Sequence, residues 1–312
     1  YPVDASTGGA ARDLLNLNRA RHDEIADKGL GALLLEDMAA EEAADDVSTG
    51  YDYDASNRDP EDDVSPGYDH DAWNDIRDML YEDQVIEDGK DVISMTAPYR
   101  AMDAAIVPIT IVAAKPQTKD EFIESITLVI DQNPSPVAAV FHLTPDSGLA
   151  AIDTRIRINA YTKVRAIANM NDGRLFMATK FIKASGGCSV PGLSGMEESL
   201  ARAGQMKMKF LASDVEGADG KAQLMIKHPN FSGLQMDQVN GNFIPAHYVD
   251  SIAVTRGGAR ILSVEGDISL SEDPNIWFYY GEETSGDFTV VATDTHSKTF
   301  RKSWPVSKLA KN

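Results

Sequence analysis

Cysteine is the scarcest residue in this 312-residue sequence: there is one, Cys188. A single thiol cannot close a disulfide within the chain. It also excludes multi-thiolate zinc and iron–sulfur centres held by one chain. Basic residues are scarce too, with 29 Lys and Arg against 49 Asp and Glu, a formal charge of −20. A general nucleic-acid binder and a protein docked on an anionic membrane both need a basic face, so neither partner is expected. No apolar run reaches the length of a membrane-spanning helix, and no membrane insertion is expected. A phosphate-cradling glycine loop, a zinc-protease helix motif and a nucleophile elbow are all missing. No catalytic residue, metal ligand or cofactor is therefore assigned.

What the sequence does contain is unevenly spread. Residues 1–72 hold 19 acidic and 5 basic residues, and the other 240 hold 30 and 24. The acidity thus belongs mainly to the first quarter, and the shift near Trp73 reads as a domain boundary. Within that quarter, residues 11–46 carry leucines at helical spacing, including Leu14, Leu15, Leu33 and Leu34. They are interrupted by Gly29 and Gly31, so two short helices are expected. Residues 47–70 offer little to bury and read as loop or disordered linker. They contain a repeat at a spacing of 17, Ser48-Thr49-Gly50-Tyr51-Asp52 echoed by Ser65-Pro66-Gly67-Tyr68-Asp69. They also hold acidic residues from Asp52 to Asp63 at a spacing like that of a calcium loop. Asn57 replaces the required glycine and Pro60 intrudes, so a solvated acidic linker is the favoured reading.

From Trp73 the pattern changes. Residues 73–81 form an amphipathic helix with Trp73, Ile76, Met79 and Leu80 on one face. Strand-sized segments follow at 92–96, 106–113, 125–131, 137–144, 154–159, 162–169 and 174–183, separated by turn residues such as Asp146-Ser147-Gly148 and Asn171-Asp172-Gly173. Short strands at this spacing predict an immunoglobulin-like β-sandwich over 73–184. Residues 185–203 are rich in Gly, Ser and Pro. A second strand series then runs through 206–212, 221–227, 248–256, 259–264, 275–280, 288–292 and 299–306, predicting a second sandwich over 204–306 and a polar tail at 307–312. The fold class is mainly β: two immunoglobulin-like sandwiches behind an acidic, partly helical segment.

Cys188 lies between these units. Four of the twelve residues from Ala184 to Gly195 are glycine, with Pro191 and three serines beside them. Buried cysteines usually sit in apolar segments. This composition instead predicts an exposed thiol on a mobile arm, with Gly186, Gly187 and Ser189 supplying the freedom. The thiolate is the reactive form of cysteine, and exposure keeps it reachable. The alternative is an incidental linker cysteine. A disulfide joining two chains through Cys188 is a further alternative. His142, His228 and His247 could approach in space, but a lone histidine is more often structural. Lys183 would aid an anionic sulfur ligand only if the loop folded back. Of the aromatic run Trp277, Phe278, Tyr279 and Tyr280, alternate members should face the core. Arg100 and Asp103 are read as a structural ion pair.

Several of these segments resemble the two carrier subunits of the Sox thiosulfate-oxidation system. Ala97-Pro98-Tyr99-Arg100-Ala101-Met102-Asp103-Ala104-Ala105-Ile106-Val107-Pro108, the turn Asn133-Pro134-Ser135-Pro136 and the terminal Gly186-Gly187-Cys188 resemble SoxY. His228-Pro229 with Ser232-Gly233, Ile244-Pro245-Ala246-His247-Tyr248 and Gly286-Asp287-Phe288 with Asp294 resemble SoxZ. Their order in one chain resembles the fused SoxYZ-like carriers associated with quinoprotein dehydrogenases. The resemblance implies two immunoglobulin-like domains packed together in the periplasm. It implies a non-enzymatic carrier whose Cys188 holds sulfur intermediates, as a thiosulfonate or persulfide, between sulfur-oxidation enzymes or for a quinoprotein dehydrogenase. A binding or scaffold protein of a periplasmic dehydrogenase system, without sulfur carriage, is the alternative. Two features depart from the family. Its cysteine lies near a free C-terminus and is followed by glycine, whereas here Ser189-Val190-Pro191 follows and the chain continues. Residues 1–72 have no counterpart. The chain begins at Tyr1 with neither methionine nor apolar leader, as a processed secreted protein or a trimmed chain would.

Overall fold

The structure is a computed structural model and describes residues 72–191, 196–213, 215–237, 240–281 and 285–305. The expected helices of 11–46, the linker repeat, the acidic calcium-like loop and the tail lie outside these residues. One amphipathic helix, α1 (Ala72–Tyr81), precedes eight strands: β1 (Ile86–Asp88), β2 (Ile93–Thr96), β3 (Val107–Pro116), β4 (Ile123–Ile130), β5 (Val137–Leu143), β6 (Leu149–Ile156), β7 (Thr162–Met170) and β8 (Leu175–Ile182). A short helix, α2 (Met196–Ala201), leads into β9 (Met206–Ala212), β10 (Ala218–Ile226), β11 (Val249–Arg256), β12 (Ala259–Gly266), β13 (Asn275–Gly281), β14 (Phe288–Asp294) and β15 (Thr299–Trp304). Among the described residues, no helix is long and apolar enough to cross a membrane.

Alternation drives the strands. In β3, Val107, Ile109 and Ile111 point inward while Pro108 is exposed and Thr110 half-buried, the period-two pattern of a sheet with one face on the core. The central strands β5 and β7 are buried on nearly every residue. Their outer face is covered by α1, whose Trp73, Ile76, Leu80 and Tyr81 pack on Val129, Val137, Val140, Ile167 and Leu175. Met79, expected on that apolar face, is 52% exposed, and Tyr81 is buried in the cluster instead. Arg165 clamps the helix from beneath: its guanidinium lies 4.3 Å from the Trp73 ring centroid and pairs with Asp131 at 2.8 Å.

The two immunoglobulin-like halves share their sheets. A nine-stranded sheet runs β1-β8-β7-β4-β5-β12-β11-β14-β15, and a six-stranded sheet runs β2-β3-β6-β13-β10-β9. The halves join twice, both times antiparallel. β5 pairs with β12 from Leu143↔Leu262 to Ala139↔Gly266, and β6 pairs with β13 at Ile152↔Phe278 and Asp153↔Trp277. One hydrophobic cluster accordingly contains Ile111, Phe141 and Ile152 from the first half with Val264, Phe278 and Phe288 from the second. In the aromatic run, Phe278 and Tyr280 face the core. Lys221 lies over both Trp277 and Tyr279, at 5.1 and 5.4 Å, and pairs with Asp153 across the junction at 2.8 Å.

Because the core is common, the halves should unfold together. Phe278→Ala is expected to cost about 3–5 kcal/mol, the range for truncating a buried aromatic, and to lower a single calorimetric transition. Two separable transitions, one of them unmoved by the substitution, would contradict a shared core.

Candidate functional site at the seam

Below the two sheet junctions, the chain from Asp267 to Ser271 is stitched to the first half by polar contacts. The Arg157 N–H donates to Ser269 O at 2.8 Å, and the Asp267 N–H to Ala138 O at 3.1 Å. Ser271 Oγ donates to Ala105 O at 2.7 Å. Asn133 Nδ2 donates to Arg157 O and Ser269 Oγ, both at 2.8 Å. Asn133, in the Asn-Pro-Ser-Pro turn, is thus buried and ties the two halves together.

Cys188 sits on this seam, fully buried. The exposed position expected from its neighbours is not what the structure shows, and the glycines explain why. Gly187 N–H donates to Ile158 O and Gly186 N–H to Asn159 O, both at 2.8 Å. A Cβ on Gly187 would lie 2.0 Å from Ala104 O and 2.7 Å from Ile158 O. Here the missing side chain permits close approach of one backbone to another rather than free swing. Ser189 closes a turn, with its N–H and Oγ both donating to Gly186 O at 3.1 and 3.0 Å. Two side chains of the second half then hold the segment from the other side. Ser232 Oγ donates to Cys188 O, and Gln235 Nε2 donates to Val190 O at 2.8 Å. A buried thiol also cannot meet a second chain, so an interchain disulfide would require the segment to leave the seam.

The third clamp is Arg157, 1% exposed. Its Nη1 reaches Gly187 O at 3.4 Å and its Nη2 reaches Asn230 O at 3.1 Å, while Nε has no hydrogen-bond partner. Burial lowers the Arg157 pKa, and the negative charge available at Cys188, Glu272 and Asp103 works against that lowering. Asp103 does not act through the expected pair with Arg100; its Oδ1 accepts the Ala105 N–H at 2.8 Å. Burial pushes the Cys188 thiol from 9.0 up to about 12, with Arg157 opposing the rise and Asp267 adding to it. In this position the cysteine is a neutral thiol beside a guanidinium that would favour its thiolate.

Among the described residues, no histidine acts electrostatically on the thiol. His142 lies 3.2 Å from Glu265 across the β5–β12 junction. His228 and His247 form a separate group with Asp294, a convergence that isolated histidines in sequence do not reveal. Lys183 lies over the Tyr99 ring at 5.1 Å.

This architecture, two sheet-sharing immunoglobulin-like halves with a cysteine segment ending the first, matches two family models. One, described as sulfur oxidation protein SoxY, spans residues 77–188; the other, sulphur oxidation protein SoxZ, spans residues 208–305. Together they cover about two thirds of the chain. The first match ends on Cys188. The protein is therefore a sulfur-oxidation carrier of two domains. It belongs to the SoxYZ family, with SoxY and SoxZ fused in one chain. Among solved structures, it is similar to the sulfur carrier protein SoxY from Chlorobium limicola f thiosulfatophilum, at 21% identity over 36% of this chain and 91% of that one, with a TM-score of 0.31. It is also similar to the superoxide reductase (neelaredoxin) from Ignicoccus hospitalis, at 16% identity over 30% and 79% of the two chains, TM-score 0.27. A glycosyl hydrolase family 2 member from Bacteroides cellulosilyticus matches at 9% identity over 73% and 30%, TM-score 0.20. No curated protein matches the chain.

Closure of the seam predicts a protected thiol. Native Cys188 should label slowly with an alkylating reagent, at a rate that keeps climbing past pH 9 where a free thiol's rate levels off, because burial pushes its pKa up to about 12. Gly187→Ala should raise the labelling rate more than tenfold by forcing the segment off Ala104 and Ile158. A wild-type rate equal to that of the urea-unfolded chain would contradict the buried position.

Proposed function

We propose that this chain carries sulfur intermediates covalently on Cys188 in the periplasm and presents them to sulfur-oxidation enzymes. The observation that carries this reading is that the sole cysteine ends the SoxY-matched region, at the seam with the SoxZ-matched half. A thiolate forms and breaks S–S bonds reversibly by exchange. Transfer of a sulfane sulfur from polysulfide gives a persulfide and a polysulfide one sulfur shorter, with no outside oxidant. Conjugating thiosulfate removes two electrons, which a partner enzyme must accept. The chain itself acts as a carrier, not an enzyme: the charged groups acting on the thiol are Arg157 and Asp267, and neither is placed as a base–nucleophile pair. A periplasmic quinoprotein dehydrogenase is the proposed partner of the fused arrangement.

Carriage requires Cys188 to leave the seam. Release breaks the contacts made by Gly186, Gly187, Arg157, Ser232 and Gln235, at roughly 1 kcal/mol for each hydrogen bond. That is a cost partner binding can meet. The segment is anchored at both ends, so the reach of Cys188 is that of a loop, not of a free terminus.

Burial of the thiol favours a second reading, a scaffold protein of a periplasmic dehydrogenase system in which Cys188 only fills the seam. Intact mass before and after incubation with polysulfide, or with thiosulfate and an oxidant, separates the two. The carrier reading expects adducts in multiples of one sulfur atom, or one thiosulfate, on the wild type and none on Cys188→Ser. A wild type that takes up nothing under any redox condition would leave the scaffold reading.

A further inference from the structure

At one end of the second half, three strand ends bring together side chains that the carrier chemistry does not use. His228 follows β10, His247 precedes β11 and Asp294 ends β14. Their ligand atoms all lie within 4.8 Å of one another. Asp294 Oδ2 is 3.0 Å from His247 Nε2 and 3.5 Å from His228 Nε2. The His228 side chain is fully buried, Asp294 is 1% exposed and His247 is 12% exposed.

The hydrogen bonds around this group leave a buried ring nitrogen aimed at its centre without a partner. Asn230 Oδ1 accepts the Val249 N–H at 3.1 Å, while Asn230 Nδ2 donates to Ser271 O at 3.2 Å. These two contacts fix which amide atom is the oxygen. That oxygen lies 2.9 Å from His228 Nδ1, closer than the Asn230 N–H at 3.1 Å. Both contacts engage Nδ1 and turn Nε2 toward Asp294. His228 Nε2 has no hydrogen-bond partner and is buried. An unpartnered buried ring nitrogen and a carboxylate oxygen therefore face each other across 3.5 Å, and an ion between them would satisfy both.

We propose that His228 Nε2, His247 Nε2 and Asp294 Oδ2 form a metal site for a divalent transition-metal ion, Zn²⁺ above all. Tetrahedral zinc with ligand distances of about 2.0–2.2 Å places its ligands roughly 3.3–3.6 Å apart; the 3.5 Å separation matches that spacing, the 3.0 Å one is slightly shorter, and the remaining pair lies within 4.8 Å. The outer contacts are those that ligating groups need. The Asn230 oxygen orients His228 through its other ring nitrogen. Asp294 Oδ1 accepts the His296 and Lys298 N–H groups at 3.0 and 2.9 Å, which turns Oδ2 toward the histidines. The donor set, two imidazoles and a carboxylate, suits Zn²⁺ and also Fe²⁺. Iron in such a triad would need three further open positions, and the packing leaves little room for them: the His228 ring is edge-on to Phe300 at 6.3 Å, and His296 stacks on His247 at 3.7 Å. A single fourth ligand, water or a small anion, would enter beside His247, the most exposed of the three.

The site is independent of sulfur carriage, and its test needs no sulfur compound. The full chain, stripped with EDTA, is titrated calorimetrically with Zn²⁺ and, under anaerobic conditions, with Fe²⁺ and Mn²⁺. Co²⁺ is added separately for its visible spectrum. One Zn²⁺ per chain is expected, with an intense tetrahedral Co²⁺ band and a rise in melting temperature on zinc addition. His247→Ala and Asp294→Asn should each weaken zinc binding at least a hundredfold and abolish that rise. His247→Gln serves if either variant fails to fold, and the wild-type Co²⁺ spectrum stands without any variant. Less than 0.1 equivalents of every ion, a Co²⁺ spectrum of octahedral all-oxygen ligation, or zinc binding unchanged in the variants would overturn the site. Preference for Fe²⁺ over Zn²⁺ would overturn the choice of metal.

Discussion

The guanidinium of Arg157, buried at the junction of two domains, is the constraint around which the site is arranged. A cation out of water is costly unless its donors are satisfied. Arg157 satisfies two of its nitrogens with carbonyls from opposite sides of the seam, Gly187 from the cysteine segment and Asn230 from the SoxZ half. Lifting the cysteine segment removes one of these acceptors. The closed position of Cys188 is thus tied to the electrostatics of the joint between the domains, and not only to local packing.

The shared sheets make that joint rigid. Since β5 pairs with β12 and β6 with β13, the halves cannot move apart to expose the thiol without breaking main-chain ladders and opening a common core. Exposure must come from the short segment itself. The segment is suited to that role: it is short and is held by individual hydrogen bonds. In the proposed carrier, the seam shields the unloaded thiol between encounters, and the Arg157 charge there opposes the rise in its pKa.

Much of the fold could be read from the residues. The alternation in β3 and the aromatic run of β13 show their inward faces directly, and the turn dipeptides mark the strand ends. β1 could not be read. It has three residues, two of them exposed, and owes its existence to a parallel pairing with β8. The merging of the sheets was also hidden, because the residues of β5 specify a buried strand without specifying its neighbour. The cysteine segment was misjudged for a related reason. Its Gly, Ser and Pro content describes what it can contribute to a core, whereas its burial comes from Arg157, Ser232 and Gln235, far away along the chain. His228, His247 and Asp294 share no local motif, and only the meeting of three strand ends makes them a group.

The central claim is that Cys188 is stored at the seam and leaves it when it bears sulfur. Hydrogen–deuterium exchange at the Gly186 and Gly187 amides tests this most directly, since both are bonded to carbonyls in the closed form. The account predicts that both amides are protected in the unloaded protein. After reaction with polysulfide, their exchange should accelerate by at least tenfold while the amides of β5 and β12 stay protected. Fast exchange at both glycines before loading, or an unchanged rate in protein shown by mass to carry sulfur on Cys188, would contradict it.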